Sequence, residues 1–472
     1  MKNMKRILLF VGCVVLSWRL LCAQEAQFSE MTTLEQFGGP SSGKYNPTPA
    51  ERQRIAWWRD AKFGMFMHWG LYAQIAGYWK NEKIRGGEWC LKLNKLPIEE
   101  YRKLANYFNP VKFDADEWVS VIKSAGMKYL VITAKHHDGF AMYRSAVSKY
   151  NIVDATPFKR DPIKELAEAC RKQGIRFGLY YSHSQDWNEP DGYGNNWSWP
   201  GYKRDFNKYL DEKSIPQIKE LLTQYHPDII WFDTAGEITE ARATQIAGIC
   251  RSICPDILIN SRLMLGKPKG LPLTDFDGSG DNEAFPQYHN VPWELCGTLN
   301  HSWGFKQWDT DFRPVKELLY HLIDAVSKNG NYLLNVGPTC EGEITESYTC
   351  RLARMGEWLK VNGEAVYSCH GTVWGTEYGE YRQVNGKRKF VASPATWRCT
   401  SKENNVYIHI LEWPADGVLN LPELDGKVGK VSVLGFPKEK VKVKQESGQT
   451  RLLLPEAAPD SLVTVVKLVM KK

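Results

Sequence analysis

The sequence predicts an α/β fold, a (β/α)8-like barrel of the TIM type followed by a small antiparallel β-sandwich. From about residue 60, short apolar segments alternate at least six times with amphipathic helical segments, which is typical of parallel strands joined by crossover helices. This pattern covers about 300 residues without a GxGxxG or GxxxxGK[ST] motif, which favours a barrel over an open nucleotide-binding sheet. From about residue 370, short alternating segments separated by turn residues indicate the sandwich.

The N-terminal segment has the organisation of a secretory signal. Basic residues precede an apolar stretch at 7–16, and Ala23 offers a cleavage point, so we predict a signal peptide at 1–23. The protein is therefore expected to be exported to the periplasm or the extracellular space. A lipoprotein anchor at Cys22 is disfavoured because Leu21 is large where a small residue is required. We expect no membrane span, because the signal stretch is too short and no later stretch reaches about 18 apolar residues.

Composition and charge narrow the functional classes. The net charge of +7 is spread along the chain, so no nucleic-acid partner is expected. The 18 tryptophans are unusual, and their flat faces suit the C–H-rich side of sugar rings. No CxxC pair has a matching partner, which argues against a zinc site. Because the apolar pattern changes near 366–372, we predict a catalytic barrel at 40–368 and a sandwich at 369–472.

Six barrel strands can be predicted in chain order. Their segments are rich in β-branched and aromatic residues and show little alternation, as strands buried on both faces should. They lie at 63–70, 129–140, 175–182, 228–233, 256–262 and 331–338. The helices between them carry apolar residues on one face, and "DPIKELAEACRKQG" also has Pro162 in its first turn and Gly174 at its end. One or two strands between 263 and 330 give no clear pattern, so the barrel is expected to be irregular there.

Polar and aromatic residues follow five of these strands in succession. They are His68 and Trp69; His136, His137 and Asp138; Tyr180, Tyr181 and His183; Asp233; and Asn260 and Arg262. In "PDIIWFDTAG" the apolar run 229–232 stops at the carboxylate of Asp233. Since barrel active sites are built at the carboxyl ends of the strands, these residues are expected to meet in one site.

Three functions compete for such a site. A metal hydrolase would use the histidines, but His136 and His137 are adjacent and the usual ligand spacing is absent. A noncatalytic sugar-binding barrel would explain the aromatic residues but gives no reason for Asp233. A glycosidase needs two carboxylates flanking one bond. Asp233 can be one of them, and the acid-rich segment 275–294 can supply the other.

The sequence resembles the α-L-fucosidases of glycoside hydrolase family 29. The segments that carry the resemblance run in order from about residue 60 to 365: "KFGMFMHWGLY", "GEWC", "AKHHDGF", "FGLYYSHSQDW", "DIIWFD", "SWGF" and "SKNGNYLLNVGPTCEGEI". The C-terminal sandwich also fits the layout of this family. The resemblance implies a retaining exo-hydrolase that removes terminal α-L-fucose from a fucosylated oligosaccharide or glycoconjugate by double displacement, with no cofactor or metal.

The resemblance also implies roles for individual residues. It places the nucleophile on Asp233 and the acid/base on a loop of variable sequence. Glu283 is our choice for the acid/base because it lies just upstream of the Trp-Glu pair at 293–294, with Glu294 and Asp281 as alternatives. The residues implied to contact fucose are His68, Glu88, Trp89, His136, His137, Tyr181, Trp231, Arg262 and Trp303. The alternatives that stay open are a glycosidase for another sugar and a noncatalytic carbohydrate-binding barrel.

Overall fold

A computed structural model describes residues 47–266, 273–384, 387–446 and 448–471. The signal peptide predicted at 1–23 and the predicted start of the catalytic domain at residue 40 lie outside these ranges. Within them, no helix combines the length and the apolar character needed to cross a membrane.

Eight parallel strands form one sheet with the order β5–β4–β3–β2–β1–β8–β7–β6. They are β1 (Phe63–Met67), β2 (Tyr129–Lys135), β3 (Arg176–Tyr181), β4 (Ile229–Phe232), β5 (Leu258–Ile259), β6 (Asp277–Gly278), β7 (Trp293–Thr298) and β8 (Gly330–Val336). A single parallel bridge between Asn260 and Phe276 joins the outer strands β5 and β6. Beside it, the Ser261 N–H donates to the Phe276 carbonyl at 3.0 Å. The sheet therefore closes into the barrel that the sequence predicts, and the β5–β6 seam is its weakest pairing.

The predicted strands correspond to β1–β5 and β8. The two strands that were not predicted, β6 and β7, lie in the region 263–330, where the sequence predicts an irregular barrel. All six residues of β7 are buried. The acid-rich segment 275–294 therefore includes residues of barrel strands. The direction of a carboxylate on such a strand is set by the strand and not by a loop.

Seven helices of ten or more residues lie in the described part of the chain. They are α1 (Pro49–Ala61), α2 (Ala115–Ser124), α3 (Pro162–Gln173), α4 (Ile215–Tyr225), α5 (Glu240–Ile253), α6 (Val315–Ser327) and α7 (Glu346–Asn362). The shorter helices are Tyr72–Ile75, Cys90–Leu93, Ile98–Arg102, Ile152–Ala155 and Phe206–Tyr209, with 3₁₀ turns at Lys103–Tyr107, Ser261–Leu263 and Gly363–Ala365 and a π turn at Leu210–Ser214. Helix α3 begins at Pro162, and Gly174 caps its end with φ of 75°, as the sequence predicts. The Asp161 side chain accepts a hydrogen bond from the Lys164 N–H at its start.

The C-terminal strands form the predicted antiparallel sandwich. They are β9 (Gly379–Val384), β10 (Lys387–Ala392), β11 (Trp397–Lys402), β12 (Asn405–Ile410), β13 (Val418–Pro422), β14 (Val428–Val433), β15 (Lys442–Glu446), β16 (Gln449–Leu453) and β17 (Thr464–Met470). One sheet has the order β11–β12–β17–β14 and the other β13–β16–β15, while β9 and β10 pair as a hairpin. Ile408 and Val466 of the first sheet share one apolar core with Leu421 and Leu452 of the second. The boundary at 368/369 stays a prediction.

Candidate active site

An open cavity lies at the carboxyl ends of the barrel strands. Its wall consists of Phe66, His68, Glu88, Trp89, His136, Tyr180, Trp231, Asp233, Arg262, Asp281, Cys296 and Trp303. The wall mixes aromatic faces with carboxylates, imidazoles and a guanidinium, which is the chemistry that a sugar needs from its binding site.

Asp233 follows the last residue of β4 and faces this cavity. Its Oδ2 accepts a hydrogen bond from the Tyr180 hydroxyl at 2.8 Å, and His137 Nε2 lies 3.6 Å from the same oxygen. Its Oδ1 accepts from Arg262 Nη1 at 2.9 Å and from the Thr234 N–H at 2.9 Å. These donors hold the carboxylate in one orientation. Asp233 does not cap helix α5, because the Thr239 side chain does so.

One guanidinium connects two acids of the cavity. While Nη1 of Arg262 donates to Asp233, Nη2 donates to Asp281 Oδ1 at 2.6 Å. The Arg262 Cζ also lies 4.7 Å from the ring centroid of Trp231, within cation–π range. Arg262 is buried, and Asp281 is half-exposed at the cavity mouth. The site therefore holds a second acid close to Asp233, as a glycosidase requires.

Two histidines of the cavity wall, His68 and His136, and a third beside Asp233, His137, are neutral. Burial lowers the pKa of His68 to about 4 and the pKa of His136 and His137 well below their ordinary value. His68 Nδ1 pairs with Asn335 Oδ1 at 2.7 Å, and His137 Nδ1 pairs with Ser182 Oγ at 2.6 Å. His136 Nδ1 has no hydrogen-bond partner in the described ranges. A neutral imidazole offers one donor and one acceptor, so these rings can bind sugar hydroxyls.

The two adjacent histidines lie together because β2 ends at Lys135. Beyond that point the strand no longer alternates its side chains, and the rings of His136 and His137 come to 4.1 Å between centroids. The His136 ring stacks on Tyr180 with an interplanar angle of 8°. The sequence left open which way these rings would point.

Glu88 and its neighbours close the opposite side of the cavity. Glu88 Oε2 accepts a hydrogen bond from the Gly304 N–H at 2.7 Å. Its side chain is buried, and burial raises its pKa. Trp89 contacts both His137 and Trp187 edge to face. This part of the wall combines a buried acid with an aromatic surface.

Four predicted site residues lie off the cavity wall. His137 is one of them, although its Nε2 lies 3.6 Å from Asp233 Oδ2. The Tyr181 hydroxyl donates to Gln217 Oε1 of α4 at 2.9 Å, so this side chain packs outside the barrel and the predicted sugar contact by Tyr181 is corrected. Glu294 is buried on β7, where it accepts hydrogen bonds from Tyr129 and Trp231 and does not reach the cavity. Glu283 is exposed beyond β6 and is not part of the wall.

The wall also contains three residues to which the resemblance assigns no contact with fucose. Tyr180 takes the place predicted for Tyr181, and Phe66 and Cys296 complete the wall between the acids. Alternation along a strand is the signal that separates Tyr180 from Tyr181, but it needs the register of β3 to be known. The residues described at 47–266, 273–384, 387–446 and 448–471 contain no group of three or more His, Cys, Asp or Glu side chains suited to a metal ion.

The barrel, the cavity at the carboxyl ends of its strands and the two acids joined by Arg262 define a glycoside hydrolase. The family model for α-L-fucosidase matches residues 33–364, and the model for the α-L-fucosidase C-terminal domain matches residues 391–471. The chain belongs to the α-L-fucosidase family.

Individual relatives agree with this assignment. The plasma α-L-fucosidase of Homo sapiens is 32% identical over 422 residues, which cover 83% of this chain and 84% of that protein. The crystal structure of the α-L-fucosidase from Vibrio sp. strain EJY3 has a TM-score of 0.79 at 32% identity, covering 89% of this chain and 73% of that one. The α-L-fucosidase isoenzyme 1 of Paenibacillus thiaminolyticus has a TM-score of 0.78 at 34% identity, covering 90% and 100% of the two chains.

Proposed function

We propose that the protein is a retaining exo-α-L-fucosidase that releases terminal α-L-fucose from fucosylated oligosaccharides or glycoconjugates. The observation that carries this proposal is the position of Asp233 on the cavity wall, with Arg262 joining it to Asp281. Asp281 is half-exposed at the mouth of this cavity, so the rest of a glycan can remain outside it, which supports exo action.

The reaction would proceed by double displacement. Asp233 attacks the anomeric carbon of fucose while the bond to the aglycone oxygen breaks, and the general acid gives that oxygen its proton. This step leaves a fucosyl ester on Asp233. The same acid, now a base, takes a proton from water as the water attacks the ester, which releases fucose and restores both carboxyl groups.

The nucleophile can be tested with two aspartates at opposite ends of the same strand. Asp233→Asn should lower kcat by at least about 10³-fold without unfolding the protein, because the amide cannot form the ester. Asp228→Asn is the matched control: Asp228 pairs with Arg176 at 2.7 Å at the other end of β4 and should keep kcat. Turnover of an aryl fucoside and circular dichroism give both readouts. Near-normal turnover in Asp233→Asn would contradict the assignment.

For the general acid we propose Asp281, in the same loop as the Glu283 that the sequence favoured. The aglycone of an exo-enzyme leaves through the cavity mouth, so its proton donor must stand there. The Asp281 side chain is on the cavity wall and 51% exposed, whereas Glu88 is 5% exposed and lies against Gly304. Glu88 is better placed to bind a fucose hydroxyl. Glu283 is the alternative, since a bound substrate could draw its loop inward.

Azide rescue distinguishes the candidate acids. In an Ala variant of the true acid, azide can attack the β-fucosyl ester from the opposite face without base catalysis, so activity on an aryl fucoside returns and α-fucosyl azide accumulates. We expect rescue for Asp281→Ala and no rescue for Glu283→Ala or Glu294→Ala. Rescue of Glu283→Ala alone would move the general acid to Glu283.

The proposed preference for fucose rests on the polar and the apolar parts of the cavity wall. His68, His136 and Glu88 supply partners for ring hydroxyls, while Phe66 and Trp303 give an apolar surface for the methyl group of fucose. An aryl α-L-galactoside differs from the fucoside by one hydroxyl on this methyl carbon. We expect kcat/KM for the galactoside to be at least about 10-fold lower, because the added hydroxyl would face an apolar wall. Equal values would favour a glycosidase for another sugar.

We also propose that the protein is exported, with the signal cleaved near Ala23. The support is the basic start and the apolar stretch at 7–16. N-terminal sequencing of the protein from fractionated cells tests this. A protein that keeps Met1 in the cytoplasmic fraction would contradict export.

A further inference from the structure

We propose that Glu294 is a positioning residue that fixes the Trp231 indole under the Arg262 guanidinium, and through it the placement of Asp233 and Asp281. The inference rests on the proposed function, because it concerns the geometry of the same two acids. It gives Glu294 a different role from the general acid considered above. Glu294 acts from below the cavity and never touches the sugar.

Glu294 lies inside the barrel at the second position of β7. Its Oε1 accepts a hydrogen bond from Trp231 Nε1 at 3.0 Å, and its Oε2 accepts one from the Tyr129 hydroxyl at 2.6 Å. The side chain is 2% exposed, and none of its atoms lines the cavity. A buried carboxyl is costly unless its oxygens are paired, so a purely structural role would be served better by an apolar residue.

Trp231 carries the effect of Glu294 to the cavity. The indole N–H is the only polar group of this ring, so the hydrogen bond to Glu294 fixes how the ring is turned within its plane. The indole also lines the cavity, where its centroid lies 4.9 Å from that of Phe66 and 5.7 Å from that of Tyr180, on which it stacks at 18°. Arg262 Cζ lies 4.7 Å from the indole centroid. A carboxyl oxygen that accepts a hydrogen bond from the indole N–H also makes the ring more electron-rich. This strengthens the attraction of the ring for the guanidinium.

Arg262 links the orientation of the Trp231 ring to the distance between the carboxylates of Asp233 and Asp281. Its Nη1 and Nη2 donate to Asp233 and Asp281, so a tilt of the guanidinium plane moves both carboxylates at once. In a retaining glycosidase these groups must stand about 5–5.5 Å apart. A displacement of about 1 Å at such a site can lower the rate about 100-fold. The reaction therefore depends on the plane that Trp231 and Glu294 maintain.

The link between Glu294 and Trp231 does not require the charge of Glu294. Burial raises the pKa of Glu294 to about 7, so both protonation states are available near neutrality. In the protonated acid, the carbonyl oxygen still accepts from Trp231, and the acid proton can turn to the Tyr129 oxygen. Glutamine offers the same carbonyl and an N–H donor in place of the acid proton. Glu294→Gln is thus a conservative variant that keeps the link, and Glu294→Ala removes it.

A double-mutant cycle with Arg262 tests the proposal. With an aryl fucoside, Glu294→Ala should lower kcat by about 10–100-fold and change KM less than about threefold, and Glu294→Gln should stay within about threefold of the parent. In an Arg262→Lys background, where the planar fork is already absent, Glu294→Ala should lower kcat less than about threefold. Asp324→Asn is the control, because this buried acid pairs with Arg398 and Lys328 away from the cavity. It should change the melting temperature and keep kcat.

Two results would overturn the proposal. One is a Glu294→Ala variant with kcat within twofold of the parent; the other is an equal loss in the parent and in the Arg262→Lys background, as a purely structural effect would give. If Glu294→Ala does not fold, Trp231→Phe breaks the same hydrogen bond from the other side, and full kcat in that variant overturns the proposal equally. Fucose release by the parent reports separately on the proposed function, so the two can fail independently.

Discussion

Two neighbouring tyrosines of β3 have different partners because successive side chains of a strand point to opposite faces. The Tyr180 hydroxyl lies inside the barrel and donates to Asp233 Oδ2 at 2.8 Å. The Tyr181 hydroxyl lies outside and donates to Gln217 at 2.9 Å. The hydroxyl of Tyr180 therefore orients the nucleophile, whereas the hydroxyl of Tyr181 binds helix α4.

Removing each hydroxyl in turn separates these roles. Tyr180→Phe should lower kcat by about 10-fold, because Asp233 loses one of the donors that orient it, a hydrogen bond worth about 1.5–3 kcal/mol to a charged group. Tyr181→Phe should keep kcat and lower the free energy of unfolding by about 1 kcal/mol. Steady-state kinetics and thermal unfolding of the two variants provide the comparison. Equal kcat values would show that Tyr180 does not support the nucleophile.

At the scale of elements, the segment after β3 is held by a buried cluster of charges. Asp186 accepts from Lys135 at 3.2 Å and lies 3.0 Å from Lys213, which also pairs with Glu189 at 2.8 Å. Burial lowers the pKa of Lys135 to about 8. Gly139, with φ of 76°, allows the close approach, since a Cβ there would stand 2.2 Å from Asp186 Oδ1. The cluster ties this segment to the end of β2, where His136 begins the site.

Removing the central acid of this cluster should cost more than removing an exposed one. Asp186→Ala leaves two lysines buried near each other and should destabilise the protein by about 3–5 kcal/mol. Asp211→Ala breaks an exposed pair with Arg242 and should cost at most about 1 kcal/mol. Apparent melting temperatures measured at one scan rate compare the two. Similar values would mean that Asp186 is not the anchor.

Sequence patterns predicted some elements well and missed others for a physical reason. Helix α3 could be bounded because Pro162 and Gly174 act locally. Strand β7 lies in the region without a clear strand pattern, because Glu294 interrupts its apolar run. The partners that satisfy this acid, Trp231 and Tyr129, are 63 and 165 residues away in the sequence. A local pattern cannot show that a buried acid is paired at such distances.

The same distinction applies to the site. His68, His136 and Asp233 could be placed together because barrel topology brings the carboxyl ends of all strands to one face. The contact of Asp281 with Arg262 could not, since the loop after β6 has no periodic pattern that fixes its direction. The family resemblance predicted which residue types would form the site. The positions of the acids in the loop after β6 could be determined only from the structure.

At the scale of the whole molecule, buried polar contacts join the sandwich to the barrel. Arg398 of β11 donates to Asp324 of α6 at 2.6 Å, and the Tyr378 hydroxyl donates to the Ser327 carbonyl at 2.7 Å. The Trp358 indole of α7 donates to a carbonyl of the sandwich, at Val463, at 2.9 Å. Because these contacts are buried, separating the two parts would leave charges and donors unpaired.

The sandwich also contributes to the dependence of stability on pH. Burial lowers the pKa of His409 to about 3, and its Nε2 pairs with Thr400 Oγ1 at 2.9 Å. Between pH 6.5 and 3 the unfolded chain binds a proton at His409 that the folded protein does not, so stability falls as the pH falls through this window. From pH 7 to 4.5 the loss should be about 2–3 kcal/mol. The variant His409→Gln should lose that much less in denaturant unfolding over this range, with its kcat unchanged. An identical pH profile would contradict the prediction.

The narrow closure of the barrel has a consequence for engineering. Asp233 stands at the end of a strand paired on both edges, whereas Asp281 follows a two-residue strand beside a single bridge. Insertions between residues 283 and 288 would therefore lengthen the loop beyond Asp281 without entering a strand. Leaving-group preference could be altered there by changing loop length and composition, while the machinery that captures the sugar stays as it is.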